Sequence, residues 1–221
     1  MTSTAVTAAR LDYFSVKEYL SVKTLGIFLG LFLLFLLVMD MAAMAAAMSM
    51  MYAFLFSSYP FLLSEKNNSD ILYASLPLSA KSLVIGRYLF VLSLFVAIAA
   101  AAALLTSLCA PFVETPLSGK ALLSTTLGSF TLFSTLAFIQ MPIYFKVDYS
   151  RAKTLAYAPV LIMFIGAFTL ARFFPEADLY VLFARLLASP PATIAAAALV
   201  WLAILAVSCR LSMAFYKKKE F

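Results

Sequence analysis

Catalysis near neutral pH draws first on histidine, and the 221 residues contain none. The two cysteines, Cys109 and Cys209, stand far apart in the chain and offer no pair at metal-ligand spacing, so neither a zinc site nor a disulfide framework is expected. Nucleotide hydrolysis requires a phosphate-cradling GxxxxGK[ST] loop. The one Gly-Lys pair, Gly119-Lys120, has Glu114 five residues before the glycine and Ala121 after the lysine, which does not fit. Without histidine, an intramembrane hydrolase would need a Ser-Lys pair within one apolar segment, and none is visible. The chain is therefore not expected to be an enzyme or to hold a cofactor. Three groups of residues remain that could act by contact. They are the charged and amide cluster Glu65-Lys66-Asn67-Asn68, the row Met41, Met44, Met48 and Met51, and Gln140 with Pro142.

The elements that position these groups follow from composition. Hydrophobic residues make up 65% of the chain and charged residues 12%, against about 45–50% and about 25% in an average soluble domain. One crossing of a bilayer takes about 20 residues in a helix, so 221 residues accommodate six crossings with short connections and no soluble domain. From Thr24 to Leu63 the only charge in 40 residues is Asp40. A charge at the bilayer centre costs roughly 2.5–3.5 kcal/mol, which assigns Asp40 to a tight turn between two spans, Thr24–Met39 and Met41–Leu62. Four further apolar runs follow at Leu83–Leu108, Ala121–Ile143, Thr154–Ala171 and Thr193–Met213. Residues 1–23 are read as an interfacial helix that meets the first span at an elbow, because Leu11, Tyr13, Phe14, Tyr19 and Leu20 alternate with charges. Cleavage of this region as a signal peptide is disfavoured by the length of the apolar run that follows. Residues 24–213 form the spanning domain and 214–221 a basic tail.

Six spans place both termini on one side. With that side cytoplasmic, 13 of the 16 basic residues lie inside, leaving Lys120, Arg172 and Arg185 outside. The net charge of +6 is thus read as a topology signal and not as a nucleic-acid footprint. The same orientation removes Asn67-Asn68-Ser69 from consideration as a glycosylation acceptor. No ionisable residue falls near mid-span, which counts against an ion-coupled carrier. The methionine row shares one helical face, suited to helix packing, lipid contact or an adaptable apolar path. The runs Ala97–Ala103 and Ala195–Ala198 favour close helix approach. Pro142 predicts a kink with freed carbonyls.

The longest cytoplasmic connection, Ser64–Arg87, has Ile71, Leu72, Ala74, Ser75 and Leu76 at helical spacing. It breaks at Pro77 and restarts with Ser79 as an N-cap for the third span. Physics alone leaves two readings open, an interfacial linker and a docking helix for a cytosolic partner. At these residues the chain resembles the membrane subunits of ABC type-2 (ABC-2) exporters, the short six-span bacterial permeases. The resemblance is carried by Glu65-Lys66-Asn67-Asn68, Ser75-Leu76-Pro77-Leu78-Ser79 and Gly86-Arg87-Tyr88, and more weakly by Pro142–Tyr149 with Arg151-Ala152-Lys153. Family members often carry Gly where this chain has Val147 or Asp148, so a different loop shape is expected there.

That resemblance implies an all-α membrane protein in the bacterial plasma membrane with six spans, a coupling helix between spans two and three, and outer re-entrant helices between spans five and six, at Arg172–Pro191. It implies ATPase contacts at Glu65, Lys66, Asn68, Asp70, Ile71, Leu72 and Leu76, braced by Pro77, with Met41, Met44, Met48 and Met51 as a substrate path or dimer face. It further implies two copies of a cytosolic ATPase that hold ATP and Mg, pairing as a homodimer or with a related permease, contact with membrane lipids, and export of a hydrophobic or amphipathic cargo. The alternatives are the substrate-binding membrane subunit of a vitamin importer and a non-transporting scaffold or immunity protein.

Overall fold

A computed structural model describes residues 2–17, 19, 21–67, 79–147, 149–173 and 190–218. The elements are α1 (Thr2–Lys17), α2 (Val22–Leu33, extended by a π-helical turn over Leu34–Val38), α3 (Ala42–Ser57), α4 (Tyr59–Lys66), α5 (Ala80–Cys109), α6 (Gly119–Lys146), α7 (Tyr149–Phe173) and α8 (Pro190–Lys217). No strand occurs among the described residues. Among the described residues, four helical stretches are long and apolar enough to cross a membrane: Ala42–Lys66, Ala80–Phe112, Gly119–Lys146 and Ala195–Lys217. Lys23–Val38 is equally apolar but shorter, and α7 runs for 25 residues. The expected coupling helix falls on residues 68–78 and most of the expected re-entrant segment on 174–189; both lie outside the described residues.

The helices start where the sequence supplies caps. Ser79, in extended backbone, accepts the Ser82 N–H at 3.1 Å, and Ser118 and Ser21 do the same for Ala121 and Thr24. The expected turn at Asp40 is present. Asp40 takes φ 52°, and the Met41 N–H returns 2.9 Å to the Phe35 carbonyl, a six-residue closure that satisfies the end of the π turn. Glycine is the usual occupant of that conformation, and aspartate is among the few side chains that tolerate it.

The span expected as one helix over Met41–Leu62 is divided at Ser58. Ser57 and Ser58 bond back to the carbonyls of Phe54 (2.6 Å) and Leu55 (2.9 Å), and Pro60 brings no N–H to the next turn. These three residues together break the ladder and start α4.

α3, α5, α6 and α8 share one core, with Met50, Val84, Val91, Phe95, Phe138 and Met141 almost wholly buried. Lipid is as apolar as a leucine side chain, so packing detail and internal polar bonds must hold such helices together. Ala42, Ala45, Ala46 and Ala53 are buried and let neighbours approach α3 closely. Ala195–Ala198, expected to allow close helix approach in assembly, are exposed. Cys109 and Cys209 are free thiols in separate clusters.

The polar bonds are specific. Pro142 cannot donate to Phe138, four residues earlier, and the freed Phe138 carbonyl accepts the Ser208 hydroxyl from α8. Ser208 spends its one proton there, so Tyr88 donates to Ser208 (2.5 Å) and Ser212 donates to Tyr88 (2.9 Å). Trp201 of α8 donates to Ser134 of α6 at 2.9 Å. The kink expected at Pro142 is thus a point of attachment between α5, α6 and α8.

A prediction follows from this bookkeeping. Ser208→Ala leaves a buried carbonyl without that donor and should cost about 1–3 kcal/mol, read as a lowered unfolding midpoint in detergent. In a Pro142→Ala background, where the helix can satisfy Phe138 itself, the same change should cost much less.

Candidate functional site

The charged residues cluster at the ends of the helices, and the end that carries Lys66, Lys81, Arg87, Lys146 and Arg151 is called the basic end below. It is built around Arg87, in the second turn of α5. The side chain is 3% exposed, with Nε 3.7 Å from the Asp12 carboxylate of α1, which is also buried. The guanidinium carbon lies over the rings of Phe61 (4.5 Å to the centroid) and Phe145 (5.5 Å). Phe61 of α4 stacks on Tyr144 of α6, and Tyr144 stacks on Tyr149 of α7. Phe145 meets Tyr216 of α8 edge-on. A single cation thus joins six helices through an ion pair and aromatic faces.

α1 reaches Asp12 because of its small residues. Ala5, Ala8, Asp12 and Val16 form one buried stripe against the protein, while Tyr13 and Phe14 are exposed. The sequence pointed to the aromatic residues as the anchoring face, but the packed face is the one of small residues and the acid. The facing residue on α5 is Gly86. A Cβ there would sit 2.6 Å from the Ala8 Cβ and 2.8 Å from the Ala5 carbonyl, so glycine is required by close approach. Thr4 and Ser82 hydroxyls meet at 3.0 Å beside it.

Of the residues expected to contact an ATPase, Glu65 and Lys66 are described, and both are engaged within the chain. Glu65 accepts the Ser150 N–H at 2.8 Å and the Ser150 hydroxyl, at the first turn of α7. Lys66 is exposed, donates to the Tyr19 hydroxyl at 3.2 Å and lies over its ring. Tyr19 packs against Tyr59, and the aromatic contacts continue through Phe56, Tyr52 and Phe28 into α2. Asn68, Asp70, Ile71, Leu72, Leu76 and Pro77 lie outside the described residues. The segment that carries them leaves from α4 and returns at α5, so both of its attachment points belong to the Arg87 cluster.

Met41, Met44 and Met51 are 38–50% exposed and Met48 is half-buried, whereas the core methionine of this helix is Met50. The row therefore faces away from its own bundle. At the opposite end, Asp40 accepts both the N–H (3.2 Å) and the hydroxyl of Thr115, tying the α2–α3 turn to the α5–α6 connection. Beneath that bond lies a cleft of about 220 Å³ between Leu36, Thr106, Val113 and Leu122. Ligand pockets usually run to about 300–1,000 Å³, so this cleft is small for a drug-sized molecule.

The sequence did not reveal the Asp12–Arg87 pair. The two residues stand 75 positions apart, and Arg87 was counted among the charges facing water. The signal that could have found it is the stripe of Ala5, Ala8 and Asp12 opposite Gly86, legible only once α1 and α5 are paired. A test follows: Asp12→Ala removes the carboxylate 3.7 Å from the buried Arg87 and should destabilise the protein by about 3–5 kcal/mol, measured by thermal unfolding in detergent. Asp12→Leu with Arg87→Leu should recover most of the loss.

Comparison with known proteins places this geometry. No curated protein matches the chain. A family model described as an ABC-2 family transporter protein matches residues 10–217. The chain belongs to the ABC-2 family of transporter membrane proteins.

Proposed function

We propose that this chain is the permease subunit of an ATP-driven exporter in a bacterial plasma membrane, with six spans and both termini in the cytoplasm. The observation that carries the reading is the family match across residues 10–217. Its physical support is that the segment 68–78 hangs between α4 and α5, which meet at Arg87 and Phe61. The basic end is the cytoplasmic one, as an excess of Lys and Arg dictates. A cytosolic ATPase that displaced 68–78 would act directly on the cluster that joins the spans.

The chain itself carries no nucleotide site in this reading. ATP and Mg reside in two copies of the ATPase subunit, docked through Asn68, Asp70, Ile71, Leu72 and Leu76, with Glu65 and Lys66 at the root of the segment. α2 and α7 supply the first and fifth spans. A second permease, identical or related, completes the path, and the outward methionine row Met41, Met44, Met48 and Met51 is the surface offered for pairing or for cargo. The cargo is hydrophobic or amphipathic, a peptide, drug or lipid, because the exposed surfaces are apolar and aromatic.

The test is extraction from the native membrane in mild detergent, followed by native mass spectrometry and an ATPase assay. Two permease chains with two nucleotide-binding subunits are expected. Leu72→Asp with Leu76→Asp should weaken that association roughly a thousand-fold while the chain still inserts, for interface anchors at about 2 kcal/mol each. Lone permease, under conditions that preserve other such complexes, would refute the reading.

A further inference from the structure

Glu65 is the penultimate residue of α4, immediately before the segment that carries the expected docking residues. Both oxygens of its carboxylate are directed to one residue. Oε2 accepts the Ser150 backbone N–H at 2.8 Å, and Oε1 accepts the Ser150 hydroxyl. Ser150 is the second residue of α7, so its N–H is one of the amides that have no acceptor inside their own helix. A carboxylate there also lies at the positive end of the helix dipole. The contact joins residues 85 positions apart and is a charge-assisted cap supplied from another helix.

α7 packs against α6 and α4, and Leu155, Leu161, Ile162 and Ile165 along its length are 60–70% exposed. Its start is therefore held from two directions. Tyr149 stacks on Tyr144 of α6, and Ser150 is gripped by Glu65 of α4. α6 is fixed in the core through Phe138 and Ser134, whereas α4 is set apart from α3 by the break at Ser58. The two holds thus tie α7 to α6 and to the short helix that leads into the 68–78 segment.

We infer that Glu65 is a positioning residue, which hands displacement of the 68–78 segment to α7 by capping its first turn, and that it is not a contact of the ATPase. The inference rests on the exporter reading and deepens it. α5 receives the same displacement through the backbone, because the segment runs directly into Ser79 and Ala80. α7 has no such covalent route, and the hydrogen-bonded Glu65–Ser150 contact supplies a non-covalent one. The carboxylate reaches Ser150 by two acceptors, so rotation of α4 must either carry the first turn of α7 along or break both bonds.

The experiment uses the permease in complex with its ATPase in lipid nanodiscs, with Cys109 and Cys209 replaced by Ala. Spin labels are placed at exposed Lys153 of α7 and Lys217 of α8, and in a second sample at Lys81 of α5 and Lys217. Distances are read before and after trapping with ATP, Mg and vanadate. Both distances should shift in the parent protein. In Glu65→Ala the Lys153 shift should be lost, the Lys81 shift kept and the ATPase still bound. Ser150→Ala should reduce the Lys153 shift in the same direction, and Glu65→Gln, which keeps an oxygen for the N–H, should restore part of it. Amides in the first turn of α7 should exchange roughly five-fold faster in Glu65→Ala, as for loss of a helix cap. A Lys153 shift that is absent from the parent complex, or undiminished in Glu65→Ala, overturns the inference. So does loss of the ATPase from the Glu65→Ala complex, which would make Glu65 a docking contact. A parent chain that recruits no nucleotide-binding subunit fails earlier and overturns the exporter reading itself.

Discussion

A guanidinium keeps its charge everywhere in a protein, and Arg87 holds one out of water at 3% exposure. The cost of that burial is offset only if the surroundings supply a carboxylate and polarisable faces, and each must come from a different helix. Asp12 brings α1, Phe61 brings α4 and Phe145 brings α6. The close approach of α1 in turn requires Gly86 one residue before the cation. The arrangement of the basic end is therefore determined by one charge that cannot be neutralised by losing a proton. α1, which its composition marks as an amphipathic surface helix, is drawn into the bundle for the same reason.

The spans obey a related constraint. In an apolar medium every backbone group that loses its helical partner must find another. Pro142 frees the Phe138 carbonyl, and Ser208 takes it, with Tyr88 and Ser212 extending the chain of donors. Asp40 bonds the N–H of Thr115 at one end, and Glu65 that of Ser150 at the other. Each of these three sites is thus also a tie between helices. Such ties are directional, which apolar packing in lipid is not, so they define which helix sits beside which.

Much of this was legible in the chain. The turn at Asp40 and the cap at Ser79 were each read from local chemistry, and the structure has both, while Pro142 lies inside α6. The family could be read as well, because Glu65-Lys66-Asn67-Asn68 and Gly86-Arg87-Tyr88 flank the connection between α4 and α5. What escaped was long-range pairing. Asp12 with Arg87, Glu65 with Ser150 and Tyr88 with Ser208 link residues 75 to 120 positions apart, and no periodicity encodes such partners. Charges were sorted by side of the membrane, a rule that treats them as facing water, and the buried pair breaks it. The break at Ser58 was missed for another reason. Its cause is a combination of two serines and a proline, none of which alone would end a helix in an apolar run.

That break gives the protein a short stiff arm. α4 has eight residues, which is roughly 12 Å of helix at 1.5 Å per residue. Swinging about Ser58, a tilt of about 10° would move its far end by roughly 2 Å, about the size of the shifts by which packed helices change register. Over so short an arm, small angular work near the bilayer surface becomes a displacement comparable with the depth of a side-chain knob. The bundle beyond the pivot need not bend at all. An eight-residue helix set off at Ser58 would in this way confine a displacement to the basic end.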